Sequence, residues 1–113
     1  MSPRRSVRKR TREAILVTNA MTGNTLGRIG NLSVDGMMLI TPAPIGEGCL
    51  YQVQIQLADE HGQPRRLEVG IQCLWSESAR TERTYWAGCR IIDISPPDQA
   101  VLDAWVERAT DTA

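Results

Sequence analysis

The chain lacks any apolar run approaching the roughly 18 residues that a membrane-spanning helix requires, so no membrane insertion is expected. Its basic N-terminus is not followed by an apolar stretch of signal-peptide type, and the expected location is the cytoplasm. The three cysteines, Cys49, Cys73 and Cys89, have no CxxC spacing, and His61 is the single histidine. No metal site is expected from that set. Cys73 and Cys89 fall inside apolar stretches, where a reduced cysteine serves as a small core residue. A Gly-rich phosphate loop, a GxSxG elbow and an HExxH helix are also missing. Acids are scattered rather than paired, and His61 sits in a charged turn that suits a solvated side chain. The chain is not expected to be an enzyme.

What is present fits one soluble domain. A length of 113 residues supports a single core, and 42% hydrophobic with 23% charged residues is an ordinary globular balance. A net charge of zero conceals an asymmetry. Residues 1–12 carry Arg4, Arg5, Arg8, Lys9, Arg10 and Arg12 without an acid, whereas the remainder holds 7 basic and 13 acidic residues. A cationic arm on an acidic body suits an anionic partner, and it equally suits a solvated tail that aids solubility. Charge alone leaves both open.

Beyond the arm, short apolar stretches alternate with turn signals. Ile15 to Thr18 is β-branched and apolar, Met21-Thr22-Gly23-Asn24 turns the chain, and Thr25 to Leu32 resumes an extended pattern. Gly36 to Thr41 is a third strand, closed by Pro42, Pro44 and Gly46. Tyr51, Val53, Ile55 and Leu57 alternate with three glutamines, and Leu67, Val69, Ile71 and Cys73 repeat that period on a strand running to Trp75. A sixth strand is expected over about 84–93. The period then changes. Ser95 suits a helix N-cap, Pro96 the first helical position and Asp98 the first turn. Val101, Leu102, Trp105, Val106 and Ala109 recur at helical spacing, so a helix is expected over about 96–109. The fold expected is mainly β: a six-stranded antiparallel barrel with a C-terminal α-helix, occupying residues 13–113 behind a flexible basic arm of residues 1–12. Trp86 and Trp105 are expected to pack the core.

The informative segment is Asn31-Leu32-Ser33-Val34-Asp35-Gly36, lying between two strands. Asn and Ser offer short polar side chains and Gly36 a tight backbone path, which by themselves make an ordinary turn. Together with the arginines the chain resembles the PilZ domain family, which is marked by an RxxxR motif in an N-terminal arm and a later (D/N)xSxxG motif. Asn31, Ser33 and Gly36 match the second motif at every defined position. Arg4 and Arg8 supply RxxxR, and Arg8 and Arg12 supply an overlapping copy. Arg8 lies 23 residues before Asn31 and Arg12 lies 19 before it; the family's usual gap favours Arg4 and Arg8, with Arg12 as a substitute and Arg5 and Arg10 as auxiliaries. The resemblance extends over essentially the whole chain, through the Trp75 strand, the Trp86-Ala87-Gly88-Cys89-Arg90 strand and the closing helix.

The resemblance implies a split-barrel fold and a bacterial, cytoplasmic, monomeric receptor domain. Its ligand would be the second messenger cyclic di-GMP, with no cofactor. It would signal to a protein effector when the arginine arm orders on the ligand. Arginine forks suit both phosphates and the guanine O6 and N7. Asn31 and Ser33, read as polar groups on the surface of the turn, would bond guanine and phosphate, and Gly36 would keep the turn unobstructed. Trp75 is either a guanine-stacking residue, as in some relatives, or a packing residue. Pro3 precedes Arg4 where relatives that bind a stacked pair of nucleotides carry arginine, which hints at a single bound nucleotide. Two other readings stand beside this one. A basic-armed small barrel can bind nucleic acid, although the acidic body argues against it. A PilZ-like adaptor that binds no nucleotide would have no need of the intact Asn31-x-Ser33-x-x-Gly36 motif.

Overall fold

The computed structural model describes residues 14–111 together with the two residues Lys9–Arg10. Seven strands and one helix follow in order: β1 Lys9–Arg10, β2 Leu16–Asn19, β3 Thr25–Leu32, β4 Gly36–Thr41, β5 Leu50–Ala58, β6 Pro64–Ser78, β7 Tyr85–Ile94 and α1 Pro96–Asp111. Strands β3-β2-β5-β6-β7-β4 are neighbours in that order, and β4 pairs back onto β3. The result is a six-stranded closed antiparallel barrel with a C-terminal helix, the fold class expected. The additional strand, β1, falls within the segment read as an arm. Its backbone pairs antiparallel with β3, Lys9 opposite Leu32 and Arg10 opposite Asn31.

The β5–β6 hairpin illustrates why these residues form a barrel. Nine consecutive pairs run without interruption from Leu50↔Gln72 to Ala58↔Pro64. Val53, Ile55 and Leu57 face Val69, Leu67 and their neighbours inside, while the glutamines between them stay outside. Asp59 closes the hairpin: its carboxylate accepts from the amides of His61 and Gln63, both at 2.9 Å. Those bonds, the Gln63 amide foremost, hold the Asp59 carboxyl below its usual range. Gly62 takes a positive φ of 78° at this turn, where a side chain would be strained. His61 is solvent-exposed beside Glu60.

Inside the barrel, Val17, Ile29, Leu32, Met37, Leu39, Val53, Leu67, Val69 and Ile71 are sealed from solvent. Cys73 and Cys89 pair across β6 and β7 within this core, and Cys49 is exposed. Burial, reinforced by the neighbouring Cys73, pushes the Cys89 thiol up to about 12; the Cys73 thiol is also raised, chiefly by burial.

Helix α1 packs on β5 and β6 and reaches β1. Ser95 Oγ accepts from the Asp98 amide at 3.4 Å, and the Ser95 carbonyl accepts from Gln99. The Asp98 carboxylate in turn accepts from the Glu68 amide on β6, so the helix start is tied to the barrel. At the other end, Arg108 donates to the Ala58 carbonyl at 2.6 Å. Among the described residues, Leu102 and Val106 are buried on the helix, while Trp105 is half-buried against the core cluster. Among the described residues, no helix is long and apolar enough to cross a membrane.

Trp86 departs from the expectation that it packs the core. It is 37% exposed, because β7 turns Ala87 and Cys89 inward and therefore Trp86, Gly88 and Arg90 outward. Opposite it stand Ile40 on β4 and Glu77 on β6.

Candidate functional site

The motif turn is built by Ser33. Its amide donates to the Gly36 carbonyl at 2.9 Å, closing the β3–β4 connection. Its hydroxyl lies 2.9 Å from the Asp35 carboxylate and 3.1 Å from the Gly36 carbonyl, and these acceptors share its one proton. Ser33 is completely buried, unlike the surface polar group read from the sequence. The reason is local. Both directions of the hydroxyl are spent on the turn, and the Asp35 carbonyl accepts from the Ile91 amide, drawing the turn onto β7. Gly36 is buried at the start of β4, opposite Arg90 on β7.

Two β-bulges then decide what faces outward. On β3 the register shifts between Ile29 and Asn31, leaving Gly30 as the extra residue. Strict alternation from inward-facing Ile29 would turn Asn31 into the core; the bulge moves it to the outer face, where it is half-buried. On β6 the register shifts between Cys73 and Trp75, with Leu74 as the extra residue. Alternation from Leu67 to Cys73 would send Trp75 inside, and the bulge again reverses it.

Both changes of phase serve one line across the barrel. Arg10 of β1 is opposite Asn31 of β3, Asn31 opposite Met38 of β4, Met38 opposite Gly88 of β7, and Gly88 opposite Trp75 of β6. Directly beneath it runs an inner row of Leu32, Met37, Cys89 and Cys73, all buried. Trp75 lies over Gly88: a Cβ added there would collide with Nε1, Cε2 and Cζ2 of the indole. The indole therefore rests against bare backbone, and Trp75 remains 39% exposed. Trp75 thus packs on the barrel's outer surface while part of it stays exposed.

Beside this row runs a second, Leu16–Arg28–Ile40–Trp86–Glu77, two residues along β4, β7 and β6 and three along β3, where the Gly30 bulge intervenes. A groove of about 320 Å³ adjoins it, lined in part by Leu16, Arg28, Ile40, Pro42 and Arg83. On the far side of the Asn31 row, the Arg90 Nε donates to Gln72 Oε1 at 3.0 Å. The outer face thus sets Arg28 and Arg90 on either side of the Asn31–Trp75 row, on an otherwise acidic body.

Of the residues singled out from the sequence, Asn31, Ser33, Gly36 and Trp75 are gathered at the motif turn and the row. Arg4, Arg5, Arg8 and Arg12 lie outside the described residues. Met38, Gly88 and Arg90 escaped the sequence reading. Met38 sits in an apolar run that reads as uniform core, although its phase opposite Met37 and Leu39 pointed outward. Among the described residues, no cluster of three or more His, Cys, Asp or Glu could hold a metal ion.

A family model for the PilZ domain matches residues 2–108. The chain belongs to the PilZ domain family. No curated protein matches this PilZ domain. Solved structures do. The Bacillus subtilis inhibitor of motility MotI/DgrA superposes with a TM-score of 0.77 at 17% identity over 100% of this chain and 54% of its own. The PilZ domain of YcgR from Escherichia coli, solved with c-di-GMP, gives 0.69 at 19% identity over 98% of this chain and 94% of its own. The K. pneumonia MrkH–c-di-GMP complex gives 0.72 at 17% identity, covering 100% of this chain and 57% of MrkH. The chain spans about half the length of MotI/DgrA and of MrkH. At these identities the likeness is one of fold.

Proposed function

We propose that this PilZ domain is a cytoplasmic receptor for cyclic di-GMP, a binding module and not an enzyme, that passes the signal to a protein partner. The observation carrying the reading is the outer row, in which two bulges bring Asn31 and Trp75 onto one face, in line with the β1 backbone. Family membership and the cyclic di-GMP held by the YcgR domain and MrkH support it.

In this reading Trp75 stacks on a guanine through its exposed surface, steadied by its contact with Gly88. Asn31 bonds the base edge. Ser33 acts at one remove, holding the turn so that Gly36 and Asn31 keep their positions. Arg4 and Arg8, aided by Arg5 or replaced by Arg12, fork onto the phosphates and guanine edges. The pairing of Lys9–Arg10 with Leu32 and Asn31 supports an approach of the arginine-bearing segment beside the motif. Ordering of that segment around the ligand alters the surface offered to the partner.

Calorimetric titration with cyclic di-GMP, GTP and a short RNA at one salt concentration tests the proposal. Cyclic di-GMP is expected to bind at micromolar affinity or tighter, about −8 kcal/mol or stronger, with GTP a poor competitor. Binding of RNA with cyclic di-GMP silent would favour the nucleic-acid reading. Silence to all three would leave a protein adaptor. Arg8→Ala is expected to lose about 1.5–3 kcal/mol of binding, the range for a charged hydrogen bond. If Arg12→Ala is crippling and Arg4→Ala silent, the second RxxxR copy is the one in use.

A further inference from the structure

Met38 occupies the centre of the outer row and has no assigned part in it. It is opposite Asn31 on one side and Gly88 on the other. Adjacent strands lie about 4.8 Å apart, so the row from Asn31 to Trp75 spans about 14 Å. Two glycines keep that span low. A Cβ added at Gly30 would lie 2.8 Å from Met38 Cε, so the methionine lies across bare backbone on β3. At Gly88 the indole of Trp75 does the same on β7. The surface between Asn31 and Trp75 is consequently a shallow shelf made of one thioether and one indole, with no side chain from either glycine rising above it.

The polar edge of this shelf is poised to change partner. Asn31 Nδ2 donates to Met38 Sδ at 3.8 Å. A thioether is a weak acceptor and a purine O6 or N7 a better one, so the Nδ2 hydrogen that faces Met38 gains a stronger acceptor at a base edge. The sulfur is then left to pack against the ring, a contact that polarizable thioethers make well. Neighbouring Met37 cannot take part, being fully buried.

We propose that Met38 is a ligand-contacting residue of this domain, the apolar seat on which a guanine base rests between the Asn31 amide and the Trp75 indole. The proposal rests on the cyclic di-GMP reading above and deepens it.

Carbon-13 labelling of the methionine methyl groups tests it in the full chain. The chain has four methionines, and exposed Met21 and buried Met37 serve as internal controls. Saturating cyclic di-GMP is expected to move the Met38 methyl upfield, by ring current, more than either control. Alongside, Met38→Ala is expected to weaken binding about tenfold, about 1.4 kcal/mol, while Met38→Leu stays within about threefold of the parent. Both variants should melt close to the parent temperature. If the parent binds and the Met38 methyl is unmoved, or Met38→Ala binds as the parent does, Met38 is not a contact. If Leu loses as much as Ala, the sulfur acts only by holding Asn31, which also overturns the seat. A parent protein that does not bind at all removes the receptor reading itself and the seat with it.

Discussion

The β5–β6 hairpin and the outer row of β3, β4, β7 and β6 obey the same strand geometry with opposite results. In the hairpin the pairing is unbroken, with Val53, Ile55, Leu57, Leu67, Val69 and Ile71 inside and the glutamines of β5 outside. In the row, bulges at Gly30 and Leu74 break the alternation on β3 and β6, and residues that the pattern would bury are turned to the surface. The difference teaches that regular pairing builds the core, while the interruptions select what the barrel displays. Residues of the hairpin should therefore report on stability, and residues of the row on binding.

The largest expected effect is on the hairpin side. Ile71→Ala empties a fully buried position and is expected to destabilise the fold by about 2–5 kcal/mol in chemical denaturation, with the affinity of the remaining folded protein unchanged. Ser33→Ala comes next and crosses the divide. Its hydroxyl is buried and bonded within the turn, so removal is expected to reduce stability by about 1–3 kcal/mol and weaken ligand binding as well. An unchanged melting curve would mean that the turn does not depend on the hydroxyl.

Gly88→Ala belongs to the row alone. The added methyl has to displace the Trp75 indole, so the emission of Trp75 should change and affinity should fall, by up to the about 1–3 kcal/mol typical of one base–aromatic stack. The smallest effect is chemical. In the folded protein a thiol reagent at neutral pH should label Cys49 and spare Cys73 and Cys89, whose thiols burial keeps protonated; unfolding should release all three. Rapid labelling of Cys89 in the native state would show that the core beneath the row opens readily.

Much of the fold was legible because its strands are bounded by strong turn chemistry. Thr25–Leu32 and Gly36–Thr41 are the strands the pattern marks, and Ser95-Pro96 does open the helix. The phase of residues around a bulge was not legible. Nothing in Cys73-Leu74-Trp75 announces that Leu74 is the extra residue, and nothing in Trp86-Ala87-Gly88 announces that the tryptophan is outside and the alanine within. That is why Trp86 was misjudged and Trp75 left undecided. Ser33 was misread for a related reason: a serine between two strands looks solvated until the turn it closes is seen to fold inward onto β7.

The central claim is that the outer row receives the nucleotide, and Trp75 reports on it most directly. A protein carrying Trp86→Phe and Trp105→Phe retains Trp75 as its one tryptophan. Titrated with cyclic di-GMP while calorimetry follows occupancy in parallel, it should give a saturable change in indole emission at the calorimetric stoichiometry. Full occupancy with unaltered Trp75 emission would contradict the account and move the binding site off this face of the barrel.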